Sequence, residues 1–185
     1  MEKTALILID IQNDYFSGGR FPLFIPDETA AQAAKVLAHF RQLGLPIFHV
    51  QHISTKPGAT FFLPDTEGAE IYNGVAPLPS EKVIIKHAPD SFFQTELHDC
   101  LQQSNIEHLV ICGMMTHMCV DTTVRAAKSH GYTITLLADG CTTRDLVWQG
   151  TTIPAAVVQE VYLASLNGNF AEVIDTSMWL DKQKG

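Results

Sequence analysis

Apolar residues fall along this chain in two rhythms. Short continuous runs alternate with longer stretches in which apolar positions recur every three or four residues. Residues 4–9 (TALILI) are the first run; 46–51 (PIFHVQ), 82–86 (KVIIK), 108–112 (HLVIC) and 132–137 (YTITLL) follow, and 170–174 reads as an edge strand. A run that is apolar on nearly every residue fits a strand covered on both faces. Between the runs lie helices. Pro26-Asp27 opens one with apolar positions at Ala30, Ala33, Ala34, Leu37 and Phe40, and Gly44 supplies its stop. Ser91-Phe-Phe-Gln94 has the spacing of a capping box ahead of a helix carrying Phe93, Leu97, Cys100 and Leu101. Two more helices are predicted over 117–130 and about 154–166. Strands that alternate with helices call for a parallel sheet with helices on both faces. The prediction is one α/β domain over 1–185: a three-layer αβα, Rossmann-like fold around a mainly parallel six-stranded sheet.

That architecture says where chemistry belongs. In open parallel sheets ligands bind beyond the carboxyl ends of the strands. Asp10 follows the first predicted strand, Lys86 ends the third, and Met114 to Cys119 follow the fourth. With Thr116 as N-cap, Cys119 falls in the first helical turn, where free N–H groups and the positive end of the dipole favour a thiolate. The same N–H groups can hold a developing oxyanion. Asp10 could move the thiol proton, and Lys86 could stabilise both anions. His87 is a competing base, because imidazole titrates near neutrality. Residue by residue each position also has a structural reading, as a packed cysteine, a turn aspartate or a solvated strand-end lysine. The stretch from 53 to 80, rich in Pro, Gly and Thr, is long for a loop, and such loops are often functional.

Composition narrows the partners. The 46% hydrophobic and 17% charged content is that of an ordinary globular protein. A net charge of −8 with scattered Lys and Arg excludes nucleic acid and anionic membrane surfaces as expected partners. No apolar run approaches the ~20 residues that span a bilayer, and no leader pattern precedes residue 4, so the expectation is a cytoplasmic protein acting on a small molecule. The four cysteines form no C-x-x-C pair and are expected as reduced thiols. His49 and His52, three apart on a strand, point to opposite faces and suit no shared ion, so neither a metal nor another cofactor is expected. Ser17-Gly18-Gly19 lacks the lysine of a phosphate-binding loop.

Three segments carry a resemblance: LILIDIQNDYF (6–16), VIIKHAPDSFFQTEL (83–97) and LVICGMMTHMCVDTTVRAAKSHGYTITLLADGC (109–141). In order and spacing the chain resembles the isochorismatase-like cysteine hydrolases, the superfamily that includes nicotinamidases. The resemblance implies Asp10 as general acid/base, Lys86 as its cationic partner and Cys119 as nucleophile. It also implies a cis peptide between Met114 and Met115, with the Met115 and Cys119 N–H groups as oxyanion hole. Tyr15, with Gln12 and Phe92, is expected at the substrate pocket. Metal-binding nicotinamidases carry Asp-x-His in the loop after the second strand; HVQHISTKPGATFF here lacks that aspartate. The expected activity is hydrolysis of an amide-like C–N bond through a thioester. Vinyl-ether hydrolysis of the isochorismatase type and a non-catalytic binding role are the alternatives. Relatives of this kind commonly assemble, so a homo-oligomer is expected.

Overall fold

A computed structural model describes residues 3–184. The strands, in chain order, are β1 (Thr4–Ile9), β2 (Ile47–His52), β3 (Lys82–Lys86), β4 (His108–Met114), β5 (Thr133–Thr142), β6 (Leu146–Trp148), β7 (Thr151–Ile153) and β8 (Glu172–Ile174). Six of them make one parallel sheet, in the order β3-β2-β1-β4-β5-β8. The α-helices among the described residues are α1 (Pro26–Leu43), α2 (Leu97–Gln103), α3 (Asp121–Ser129), α4 (Ala155–Leu166) and α5 (Thr176–Lys182).

The alternation of β1 explains the three layers. Ala5, Ile7 and Ile9 pack into a core with Leu97 and Leu101 of α2, Val124 and Ala127 of α3 and Leu166 of α4. Leu6 and Leu8 face the other way, onto Ala33, Val36, Leu37 and Phe40 of α1. On that side Trp179 of α5 stacks on Phe40, with ring centroids 5.8 Å apart. The strand order reverses between β1 and β4, and the crevice at such a switch point is where an open α/β sheet places its ligand. Gly113 makes this junction possible. It sits at φ 142° beside a bulge in β4, and a Cβ there would overlap the Ile9 carbonyl of β1.

Several elements differ from the sequence expectation. Ser91 and Gln94 form no capping box, because Gln94 adopts φ 55° and breaks the turn. The Ser91 hydroxyl is buried against Thr123 Oγ1 at 2.8 Å, α2 starts only at Leu97, and Phe93 lies exposed ahead of it. The helix after β4 opens with a π-turn over Thr116–Val120, and Met115 rather than Thr116 is its N-cap. β5 continues to Thr142. The hairpin β6–β7 and helix α5 escaped the hydrophobic pattern. Gln149-Gly150, both at positive φ between two short strands, was the readable hairpin signal.

Candidate active site

Three segments that leave the carboxyl ends of β1, β3 and β4 meet at the crevice. Asp10 turns out of β1 with φ 52°, a left-handed conformation that Asp adopts more readily than most residues. Its carboxylate is fully buried. Oδ2 stands 2.8 Å from Lys86 Nζ as an ion pair, and Oδ1 accepts no hydrogen bond among the described residues. Lys86 also donates to the carbonyls of Ala88 (3.0 Å) and Pro89 (3.3 Å). Burial opposes the lysine charge, but Asp10 and then Cys119 outweigh it, and the pKa of Lys86 is raised. The ammonium is therefore a fixed charge at neutral pH.

Cys119 lies in the π-turn. A Cys119 sulfur, an Asp10 oxygen and a His52 ring nitrogen all lie within 4.8 Å of one another. The expectation of a resting thiolate is reversed here. Burial pushes the Cys119 thiol up, the Asp10 charge adds to it, and Lys86 pulls down without winning. A first-turn position therefore does not by itself give a thiolate: desolvation against an adjacent carboxylate overrides the helix end. What the site holds at rest is a thiol beside a base.

The peptide between Met114 and Met115 is cis, as the resemblance implies. The Met115 N–H donates to no acceptor among the described residues, and Met115 and Cys119 both line the adjoining cavity of about 390 Å³. Tyr15, Phe61, Phe62 and Met118 supply its apolar walls, and His52, His87 and Lys56 its polar part. Burial, followed by Cys119 and Asp10, raises the Tyr15 pKa well above its ordinary value, so the phenol stays neutral.

The segment after Asp10 also holds the 53–80 loop in place. Asp14 accepts hydrogen bonds from the N–H groups of Phe62 (2.6 Å) and Arg20 (3.1 Å), which fixes the aromatic pair over the cavity. Gln12 donates to the carbonyls of Ala69 (2.7 Å) and His52 (2.9 Å) and accepts from the His52 N–H (2.8 Å).

Tyr15, Lys86, Asp10, Met115 and Cys119 thus converge, and two expected pocket residues do not. Gln12 is spent on backbone groups and lines none of the cavity. Phe92 packs on Tyr132 and His130 in the core behind it, with centroids 6.1 and 4.8 Å away. His87, the competing base, lines the cavity, but its Nδ1 is tied to the Ile53 carbonyl at 2.7 Å and it stands outside the Asp10–His52–Cys119 group.

The residue that sequence reasoning missed as part of the centre is His52. It pairs with Lys86 across β2 and β3, and Lys86 donates to its Nδ1 at 3.2 Å. Burial pushes its pKa down to about 4, so the imidazole is neutral. Aligning strand ends across the predicted sheet was the signal that could have found it. His49 is buried apart from it, with Nε2 3.0 Å from Glu81 Oε2. The two histidines do not converge, and the ligand set of metal-type nicotinamidases does not fit this loop. A larger cavity of about 560 Å³ opens at the amino ends of β2 and β3, where Arg41 and Glu81 are occupied with each other.

The profile of the Isochorismatase domain matches residues 4–178. The isochorismatase family protein YddQ of Bacillus subtilis is 49% identical over 177 residues, covering 96% of this chain and 98% of that protein. The ureidoacrylate amidohydrolase of Cronobacter sakazakii is 30% identical over 157 residues, covering 67% and 68%. A solved isochorismatase-like structure from Oleispira antarctica superposes with a TM-score of 0.94 at 44% identity, over 97% of each chain. No helix among the described residues is long and apolar enough to cross a membrane.

Proposed function

This chain belongs to the isochorismatase family of hydrolases, and from that premise we propose that it cleaves an amide-like C–N bond of a small molecule through a thioester on Cys119. One observation carries the reading: a buried thiol within 4.8 Å of a buried carboxylate whose second oxygen, among the described residues, accepts no hydrogen bond from a nitrogen or oxygen donor. Asp10 takes the Cys119 proton as Sγ attacks the carbonyl carbon, so that the thiolate forms only as it is consumed. The negative charge that moves onto the carbonyl oxygen is met by the N–H groups of Met115 and Cys119. The oxyanion collapses, the C–N bond breaks, and the departing nitrogen takes the proton from Asp10. Water then adds to the thioester, giving its proton to Asp10, which returns it to sulfur.

Lys86 holds Asp10 in register throughout, and its charge compensates each anion in turn. The apolar walls of Tyr15, Phe61, Phe62 and Met118 suit a compact, flat acyl group and keep bulk water from the thioester. That one relative is an amidohydrolase supports amide over ether chemistry. The test is a panel of small primary amides, ureido acids and carbamoyl compounds, with rapid-quench mass spectrometry for an adduct on the 113–127 peptide. Turnover with a Cys119 adduct is the expected result. An inert panel, together with a vinyl ether cleaved equally by wild type and Cys119→Ala, moves the assignment to ether hydrolysis.

A further inference from the structure

We propose that Asp10, His52 and Cys119 form a binding site for a thiophilic divalent cation such as Zn²⁺, and that the cation switches the enzyme off. Among the described residues these three supply the group of donors close enough to share one ion, with a carboxylate oxygen, an imidazole nitrogen and a sulfur all within 4.8 Å of one another. Tetrahedral zinc places its ligand atoms roughly 3.3–3.7 Å apart, so small side-chain rotations close the remaining gap. An independent feature points to a cation. The Asp10 carboxylate is completely buried, and among the described residues Oδ1 accepts no hydrogen bond from a nitrogen or oxygen donor, although Lys86 already stands against Oδ2. A buried anionic oxygen served only by a weakly donating thiol is costly, and a metal ion bound to that oxygen and to the sulfur meets the need directly.

His52 can take part because Lys86 can release it. The lysine has three N–H donors and keeps three other acceptors: Asp10 Oδ2 and the carbonyls of Ala88 and Pro89. Its contact with His52 Nδ1 is a fourth, and dispensable. Binding exchanges the S–H bond for a metal–thiolate bond, and the thiol proton is released to solvent. A water from the cavity fills the fourth position, giving the open three-ligand arrangement familiar for zinc.

The consequence is opposite to that of a metal cofactor. A cation here occupies the sulfur that attacks and the oxygen that takes its proton, so metal loading and covalent catalysis exclude each other. The inhibition half of the proposal rests on the function proposed above; the binding half does not.

The experiment therefore reads binding and turnover separately. Purified protein is titrated with Co²⁺, and the near-ultraviolet thiolate-to-cobalt charge-transfer band is followed. In parallel, Zn²⁺ is titrated against labelling of Cys119 by iodoacetamide at pH 9, read by peptide mass spectrometry. One equivalent is expected to bind with a charge-transfer band, and Zn²⁺ should protect Cys119 from alkylation at least tenfold. The band should vanish in Cys119→Ala and in Cys119→Ser, and affinity should fall tenfold or more in His52→Ala. In turnover assays micromolar Zn²⁺ should silence the enzyme, and chelation should restore it. A band that persists without Cys119, or unprotected alkylation at saturating zinc, refutes the site. Turnover that rises with zinc refutes the inhibitory role while leaving the thioester mechanism to its own test.

Discussion

Replacing Asp10 by Asn probes the centre through stability rather than rate. The change removes one partner of an ion pair in which both side chains are fully buried and 2.8 Å apart. Stranding one member of such a pair typically costs about 3–5 kcal/mol. Lys86 retains two carbonyls and a neutral imidazole, which places the expected loss near the lower end, about 3 kcal/mol. That is a large share of the roughly 5–15 kcal/mol that holds a domain folded.

The pH dependence gives the result its signature. In the wild type the Lys86 pKa is raised above its ordinary value, so its contribution is fully present below the unfolded-lysine value of ~10.4 and is lost only as pH climbs through the folded pKa. In Asp10→Asn, burial is left as the dominant influence, and the folded pKa drops below that of the unfolded chain. Between those two values the unfolded state then binds more protons, and stability of the variant rises with pH. Urea unfolding at pH 7 and pH 10 should show the gap to wild type narrowing at the higher pH. The double variant Asp10→Asn/Lys86→Met removes both charges and keeps the buried stem, so it should recover most of the loss at pH 7. An Asp10→Asn protein within about 1 kcal/mol of wild type at pH 7, or a double variant weaker than the single, would refute the reasoning.

Cys119→Ala should lose kcat by several orders of magnitude while its urea midpoint moves little, because the thiol is small; near-normal turnover would end the covalent mechanism. Since burial holds Cys119 as a thiol, its alkylation by iodoacetamide in metal-free buffer should rise roughly tenfold per pH unit between pH 7 and 9, as the thiolate fraction does; a plateau by pH 8, read by mass spectrometry, would mean a lower pKa than the burial argument allows. Asp14→Ala frees the Phe62 and Arg20 N–H groups and loosens the aromatic lid; KM should rise more than kcat falls, and the reverse split in steady-state assays would place Asp14 in the chemistry instead.

The parts of this structure legible from sequence are those set by local rules. Strands covered on both faces need unbroken apolar runs, and β1, β2 and β4 were found that way; β3 was found as a run too, although it lies at the sheet edge with Ile85 exposed, and β5 runs on past its predicted end to Thr142. Asp10 and Lys86 were readable because the polar residue at the carboxyl end of a strand also reaches the crevice, and Cys119 because it falls in the first turn of the helix that follows β4. Gln94 and Gln12 show where local rules stop. Gln94 has the right spacing for a cap, but its backbone is left-handed and the Ser91 hydroxyl is committed to Thr123 on another element, neither of which the local pattern announces. Gln12 has the right neighbours for a pocket wall, yet its amide is committed to the backbone of a loop some sixty residues away. The Cys119 thiol was misjudged for the same reason: burial and the Asp10 charge come from tertiary contacts, and the helix end alone gave the wrong sign.

The segment from Asp10 to Phe16 shows why the pocket could not be read even though the catalytic groups could. It performs two tasks with adjacent residues. Asp10 supplies the base, while Gln12, Asn13 and Asp14 hold the long loop by hydrogen bonds to Ala69, Glu67 and Phe62. Gly68 lies so close that a Cβ there would overlap the Asp14 carboxylate. Position and anchorage are therefore coupled through one short stretch of backbone, which turns at Asp10 in a left-handed conformation. The anchors are backbone carbonyls and N–H groups, which any loop sequence presents. The residues ahead of the Phe62 anchor, Lys56 to Thr60, line the cavity and make none of these anchoring bonds. A fold built this way can alter its substrate by rewriting one loop while its chemistry stays fixed, and substrate identity is thus the property least constrained by the residues that make the family recognisable.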